Sequence, residues 1–260
     1  MNIFSVQASL LISPTKIKLE DRERSTKLIL INTSESSITY RLSWEQKTVS
    51  DKGAYKQLTE KEIKIFPMAS KMIRFSPKQV RLNPGERQIV KIAVRRPKDL
   101  PAGEYRSHLK LSAIPNERIK PNTEGMSIKA NMLFSYVLPV IVRKGKASSN
   151  ISITNISLIA KQKNKKSKLI ISLENDTKYS TTGNLIAYLG DKKGNERVVA
   201  RLHDFTFYPD KNITQAQVLF FDECNNGCNG ILRVAFEGTK KQKGTLFTEK
   251  VININADSFK

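Results

Sequence analysis

Apolar residues in this chain return at every second position, in short runs separated by turn-forming residues, and that spacing restricts the fold more than any other feature. A period of two puts successive side chains on opposite faces of an extended strand, whereas a helix would need a period near 3.6. Ile38, Tyr40, Leu42 and Trp44 alternate with Thr39, Arg41 and Ser43, and Ile89–Val94 and Tyr105–Leu111 repeat the pattern. Asn32–Ser36, Asn83-Pro-Gly85, Pro101-Ala-Gly103 and Asn116–Gly125 supply the breaks. Such a series predicts an all-β sandwich or barrel.

At 260 residues the chain has length for two domains. The small, polar stretch after Arg143 reads as a linker. The expected division is a tail or leader remnant over 1–8, a first domain over 9–144, a linker over 145–150 and a second domain over 151–260. The second half carries its own β pattern: Ile151–Ile159, Leu169–Leu173, Gly183–Leu189, Val198–Phe207, Ala216–Phe221, Ile231–Phe236 and Leu246–Ile254. Seven runs match the strand number of an immunoglobulin-like sandwich. No sequence repeat links the halves.

Apolar residues at 39% and charged residues at 27% give a globular balance. The net charge of +21, from 45 Lys and Arg against 24 Asp and Glu, raises nucleic acid, anionic membranes and acidic proteins as partners. A nucleic-acid binder would interleave basic residues with exposed aromatics, but Tyr40, Trp44 and Tyr105 lie on the apolar phase of their strands. The dense run Lys161–Lys168 falls where a hairpin turn is expected and reads as a solvated loop. No run of about 18 uncharged apolar residues occurs, so no membrane insertion is expected. Val6-Gln-Ala8 has the small-residue spacing of a leader-cleavage site and is read as the stump of an export signal.

There is no Gly-x-Ser-x-Gly, no phosphate-cradling glycine loop and no His-Glu-x-x-His, so neither an enzyme nor a cofactor is expected. Cys224 and Cys228 sit in a turn-rich stretch and could close a small disulfide or remain thiols. With only His108 and His203 beside them they make a poor metal site.

The segment Gly125–Gly145 is the most informative. Met126, Ile128, Ala130, Met132 and Phe134 hold alternate positions, while Ser127, Lys129 and Asn131 face the other way. Such a row either fills its own core or sits on an edge strand that completes a partner's sheet, where backbone hydrogen bonds give affinity and side-chain pockets give register.

Five stretches in this order, Ile12–Leu19, Leu30–Asn32, Phe75–Glu86, Leu100–Arg106 and Leu138–Arg143, resemble the PapD-like periplasmic chaperones of chaperone-usher pili, with a flavour closest to their archaic branch. The resemblance covers the first domain; the second matches in length and strand pattern. It implies two immunoglobulin-like domains set at an angle with a cleft between them, and a periplasmic location. The implied partners are pilus or fimbrial subunits and an outer-membrane usher, with no nucleic acid. The donor row would be Met126, Ile128, Ala130, Met132 and Phe134. The subunit carboxylate would be anchored by a basic residue in the opening strand, where Ser13-Pro-Thr-Lys16 places Lys16, and by a second, for which Lys129 and Arg143 are the candidates. The rival reading is a basic two-sandwich scaffold or a nucleic-acid-binding protein.

Overall fold

A computed structural model describes residues 9–50, 52–114, 134–161, 166–190, 194–221 and 228–259. The first half of the chain forms β1 (Leu10–Ser13), β2 (Ile17–Leu19), β3 (Ser25–Asn32), β4 (Ile38–Glu45), β5 (Lys47–Val49), β6 (Tyr55–Gln57), helix α1 (Glu60–Ile65), β7 (Ile73–Ser76), β8 (Gln79–Leu82), β9 (Arg87–Val94), β10 (Gly103–Ile114) and β11 (Ser135–Lys144). The second half forms β12 (Ile151–Ile159), β13 (Lys168–Asn175), β14 (Thr181–Gly190), β15 (Glu196–Phe207), β16 (Ile213–Leu219), β17 (Gly230–Gly238) and β18 (Leu246–Ile254). Every apolar run marked out in the second half lies on one of these last strands, except that Ala216–Phe221 runs two residues past β16.

The chain divides into two compact units, one of residues 1–47 and 57–146 and the other of residues 48–56 and 147–260. In the first, a sheet of order β1-β3-β9-β7 faces one of order β2-β11-β10-β4-β8. Alternation explains the layering. On β4, Tyr40 and Leu42 are buried while Arg41 and Ser43 are exposed, and Leu28, Leu30, Val90, Ile92, Leu109 and Leu111 join the same core. Between Ser13 and Ile17 the opening strand changes sheets: β1 pairs antiparallel with β3, then β2 pairs parallel with β11. The Ser13–Pro14 bond at this crossing is cis.

The second unit stacks a sheet of order β12-β13-β16 on one of order β15-β14-β17-β18, around Leu169, Leu173, Leu185, Phe207, Phe220 and Phe236. The segment 48–56, kept with 9–144 in the sequence reading, belongs to this unit. Thr48 Oγ1 donates to Asp210 Oδ2 at 2.8 Å and the Tyr55 hydroxyl to that of Tyr208 at 3.0 Å.

The two sandwiches share a device that their sequences do not advertise. Asn32, wholly buried at the end of β3, donates from Nδ2 to the carbonyls of Ser36 (2.8 Å) and Leu82 (3.0 Å) while its Oδ1 accepts the Ser34 N–H. Asn175, buried at the end of β13, donates to the Tyr179 carbonyl at 3.2 Å and accepts the Thr177 N–H at 3.1 Å. In each case one amide side chain satisfies the backbone of a turn leading to the opposite sheet.

Candidate functional site

β11 follows directly in sequence on the apolar row Met126–Phe134. Its even positions face the core: Leu138, Val140 and Val142 are buried in it and Tyr136 packs against it. Tyr136 meets Tyr40 edge-on at 6.4 Å between ring centres, and its hydroxyl lies 3.2 Å from Ser9 Oγ. Those contacts fix the start of the strand.

The two sides of β11 differ. β10 lines one side along Gly103–Ser112, opposite Ser135–Lys144. On the other side β2 reaches only Val140–Val142. Among the described residues, Ser135–Pro139 therefore has no strand beside it. The Phe134 carbonyl accepts from Ala113 N on the β10 side at 3.3 Å. Peptide groups alternate in direction along an antiparallel pair, so those of Ser135 and Val137 turn outward. Pro139 offers only a carbonyl there, and the paired stretch begins immediately beyond it. The composition follows the same division: alternation up to Leu138 gives way to the continuous Val140-Ile141-Val142, all three buried, as expected where both faces are covered.

Phe134 stands at the described start of this half-open edge with 47% of its surface exposed. The remaining row, Met126, Ile128, Ala130 and Met132, lies outside the described residues, as does Lys129.

Lys16, half-buried, immediately precedes Ile17, which lies opposite Val140, where the pairing with β2 begins. Arg143, the described candidate for the second anchor, lies away from the half-open edge. It occupies the far end of β11, about 20 Å from Val137 at some 3.3 Å per residue. Its Nε donates to Glu104 Oε2 at 3.0 Å and its Nη1 lies 3.4 Å from Glu20 Oε1. The side chains of Arg143 and Glu104 are 7% and 1% exposed. A guanidinium committed to two carboxylates of its own unit fastens β11 to β10 and the β2 turn, remote from the open edge.

One group escaped the sequence reading. Arg96 donates to the carbonyls of Leu19 (3.0 Å), Glu20 (2.6 Å), Glu23 (2.7 Å) and Arg143 (3.0 Å), tying the turn after β2 to the end of β11. Nothing in its sequence context distinguishes it from its neighbour Arg95. His108, 2% exposed on β10, is driven down to about 3 by burial, with Arg106 and Lys47 adding to the effect and Glu45 opposing it. The unfolded imidazole takes up its proton near pH 6.5, whereas the folded one resists until far lower. Below pH 6.5 the unfolded state thus binds the extra proton and stability falls, by at most about 1.4 kcal/mol per pH unit. Above it the cost vanishes. His108→Gln is expected to flatten the decline in urea midpoint between pH 6.5 and pH 4 relative to the parent. Parallel declines in the two proteins would refute that assignment.

Cys228 packs against the core of the second unit, while Cys224 lies outside the described residues. Among the described residues no group of three His, Cys, Asp or Glu side chains could hold a metal, and no helix is long and apolar enough to cross a membrane.

Fold and edge together define a tandem β-sandwich with one half-open strand in its first unit. No family model and no curated protein matches the chain. Among solved structures it is similar to the SafB chaperone of Salmonella enterica, determined with the SafA pilin, at 16% identity over 97% of this chain and 98% of that one, with a TM-score of 0.46. It is similar also to the CupB2 chaperone of Pseudomonas aeruginosa, at 12% identity over 94% and 99% of the two chains and a TM-score of 0.47. The archaic CsuC–CsuE chaperone–adhesin complex of Acinetobacter baumannii aligns at 19% identity over 79% of this chain and 92% of that one, with a TM-score of 0.39.

Proposed function

We propose that this protein is a periplasmic, non-catalytic chaperone that lends a β-strand to pilus subunits lacking one of their own and passes them to an outer-membrane usher. The observation that carries the reading is the half-open edge of β11, which continues the alternating apolar row Met126–Phe134. A visiting strand would pair with the outward peptide groups of Ser135 and Val137 while the row fills the visitor's open core. Burying several such side chains at about 1.5–3 kcal/mol each outweighs the cost of ordering a long strand.

The direct test is hydrogen exchange. The amides of Ser135 and Val137 should exchange quickly in the chaperone alone and slow by about two orders of magnitude or more when a cognate subunit is added. Unchanged exchange at both would end the proposal.

Lys16 is assigned as the anchor for the subunit's terminal carboxylate. An ammonium holds a carboxylate as a point charge without the bidentate fork of arginine. Lys16→Glu should therefore weaken subunit capture by about tenfold to a hundredfold, with like charges replacing opposite ones. Lys16→Arg should retain it. Equal capture by Lys16→Glu and the parent, measured by titration with the purified subunit, would remove Lys16 from the site.

A further inference from the structure

Beside the turn between β2 and β3, at the end of β9, lies a cavity of about 640 Å³ lined by Asp21, Arg22, Arg24, Val94, Arg95 and Arg96. Four arginines line it with Asp21, while Glu20 and Glu23 of the same turn act on Arg96, and the arginines divide into two groups. Arg96 is spent on the four backbone carbonyls already described, and so serves as scaffold. It ties down the turn carrying Arg22 and Arg24, and the Val94 N–H donates to the Arg24 carbonyl at 2.8 Å, joining that turn to the β9 end that carries Arg95. The Arg95 N–H is itself held by the Met72 carbonyl at 2.8 Å. Backbone positions of Arg22, Arg24 and Arg95 are thereby fixed, while the side chains are exposed.

Asp21 acts on Arg22 and Arg96 through its charge, but its hydrogen bond goes elsewhere. Asp21 Oδ1 accepts the Gly145 N–H at 2.9 Å and faces Lys144 at 3.8 Å. Its charge is used in closing the end of β11.

We infer that this cavity is a binding site for phosphate groups, with Arg22, Arg24 and Arg95 as its donors. Three guanidinium forks offer more N–H groups than the two oxygens of a single carboxylate can accept. A phosphate, with three or more terminal oxygens and up to two charges, matches them. The volume falls in the range of small-molecule pockets and leaves room for a second phosphate or an attached organic group. The site is separate from the edge of β11 and does not depend on strand donation.

The test titrates the full chain with inorganic pyrophosphate and, in parallel, with phosphatidylcholine vesicles with and without phosphatidic acid. Arg24→Ala and Arg95→Ala are compared with Arg81→Ala, an exposed arginine on β8 outside the cavity. Each cavity variant should weaken binding about tenfold, and Arg81→Ala by less than about twofold. That pattern with pyrophosphate identifies a soluble phosphate ligand. The same pattern confined to phosphatidic acid vesicles identifies a lipid headgroup. Equal losses in all three variants, or binding in neither arm, would overturn the site and leave only the diffuse attraction of a +21 chain for anions. Circular dichroism of the variants guards against unfolding, and the exposed positions of all three side chains predict unchanged melting.

Discussion

Met132→Asp is expected to abolish co-purification of the protein with its cognate subunit while leaving its own melting temperature unchanged. In the complex the row would be sealed in the subunit's core, so the substitution removes about 1.5–3 kcal/mol of apolar burial. It also forces a carboxylate to be desolvated or protonated, for several kcal/mol more. The sum corresponds to a loss of affinity of a thousandfold or more. Asn131→Asp is the internal control. It adds the same charge one residue away, on the opposite phase of the row, and should bind within about tenfold of the parent. Equal failure of both variants would mean that charge near the segment, and not the apolar row, decides binding. Full capture by Met132→Asp would show that this segment is not lent at all.

Strand positions were legible because each sandwich buries one face of every sheet, which imprints alternation directly on the sequence. Tyr40 and Leu42 inside with Arg41 and Ser43 outside is that imprint at its clearest. Long-range partners leave no such mark. The hairpin around Thr48–Lys56 is mostly polar, and it is tied to the second unit through Asp210 and Tyr208, more than 150 residues away. The twin buried asparagines were hidden for a related reason. Asn32 and Asn175 look like ordinary turn residues until the carbonyls they satisfy are placed around them. The candidate site divides similarly. The apolar row and Lys16 are proposals drawn from spacing and motif, whereas the open side of β11 could not be read at all, since a strand's sequence does not say how far its neighbour extends. β2 stops short of Ser135–Pro139 because it is three residues long, a property of the other strand.

The pairing of Arg143 with Glu104 lies out of sight of the sequence, and it yields the largest expected change in stability. Arg143→Met should destabilise the first unit by about 3–5 kcal/mol, because Glu104, 1% exposed, would lose the guanidinium that faces it at 3.0 Å. Glu104→Gln should cost less than Arg143→Met, since an amide can still accept from the guanidinium and Glu20 remains nearby to balance it. The double variant should recover part of the loss, falling short of the sum of the single effects by at least about 1 kcal/mol, the signature of a direct contact. Urea denaturation of the four proteins closes this cycle. Two readouts separate a fastening role from an anchoring one. If Arg143 holds β11 in place, subunit affinity measured well below the midpoint should change little in Glu104→Gln, and the double variant should regain binding along with stability. If Arg143 instead reached for the subunit, the double variant would stay unable to bind however well it folded. A 3.0 Å ion pair with a carboxylate only 1% exposed favours the first outcome, because withdrawing the guanidinium to serve a visitor would strand a charge inside the sandwich.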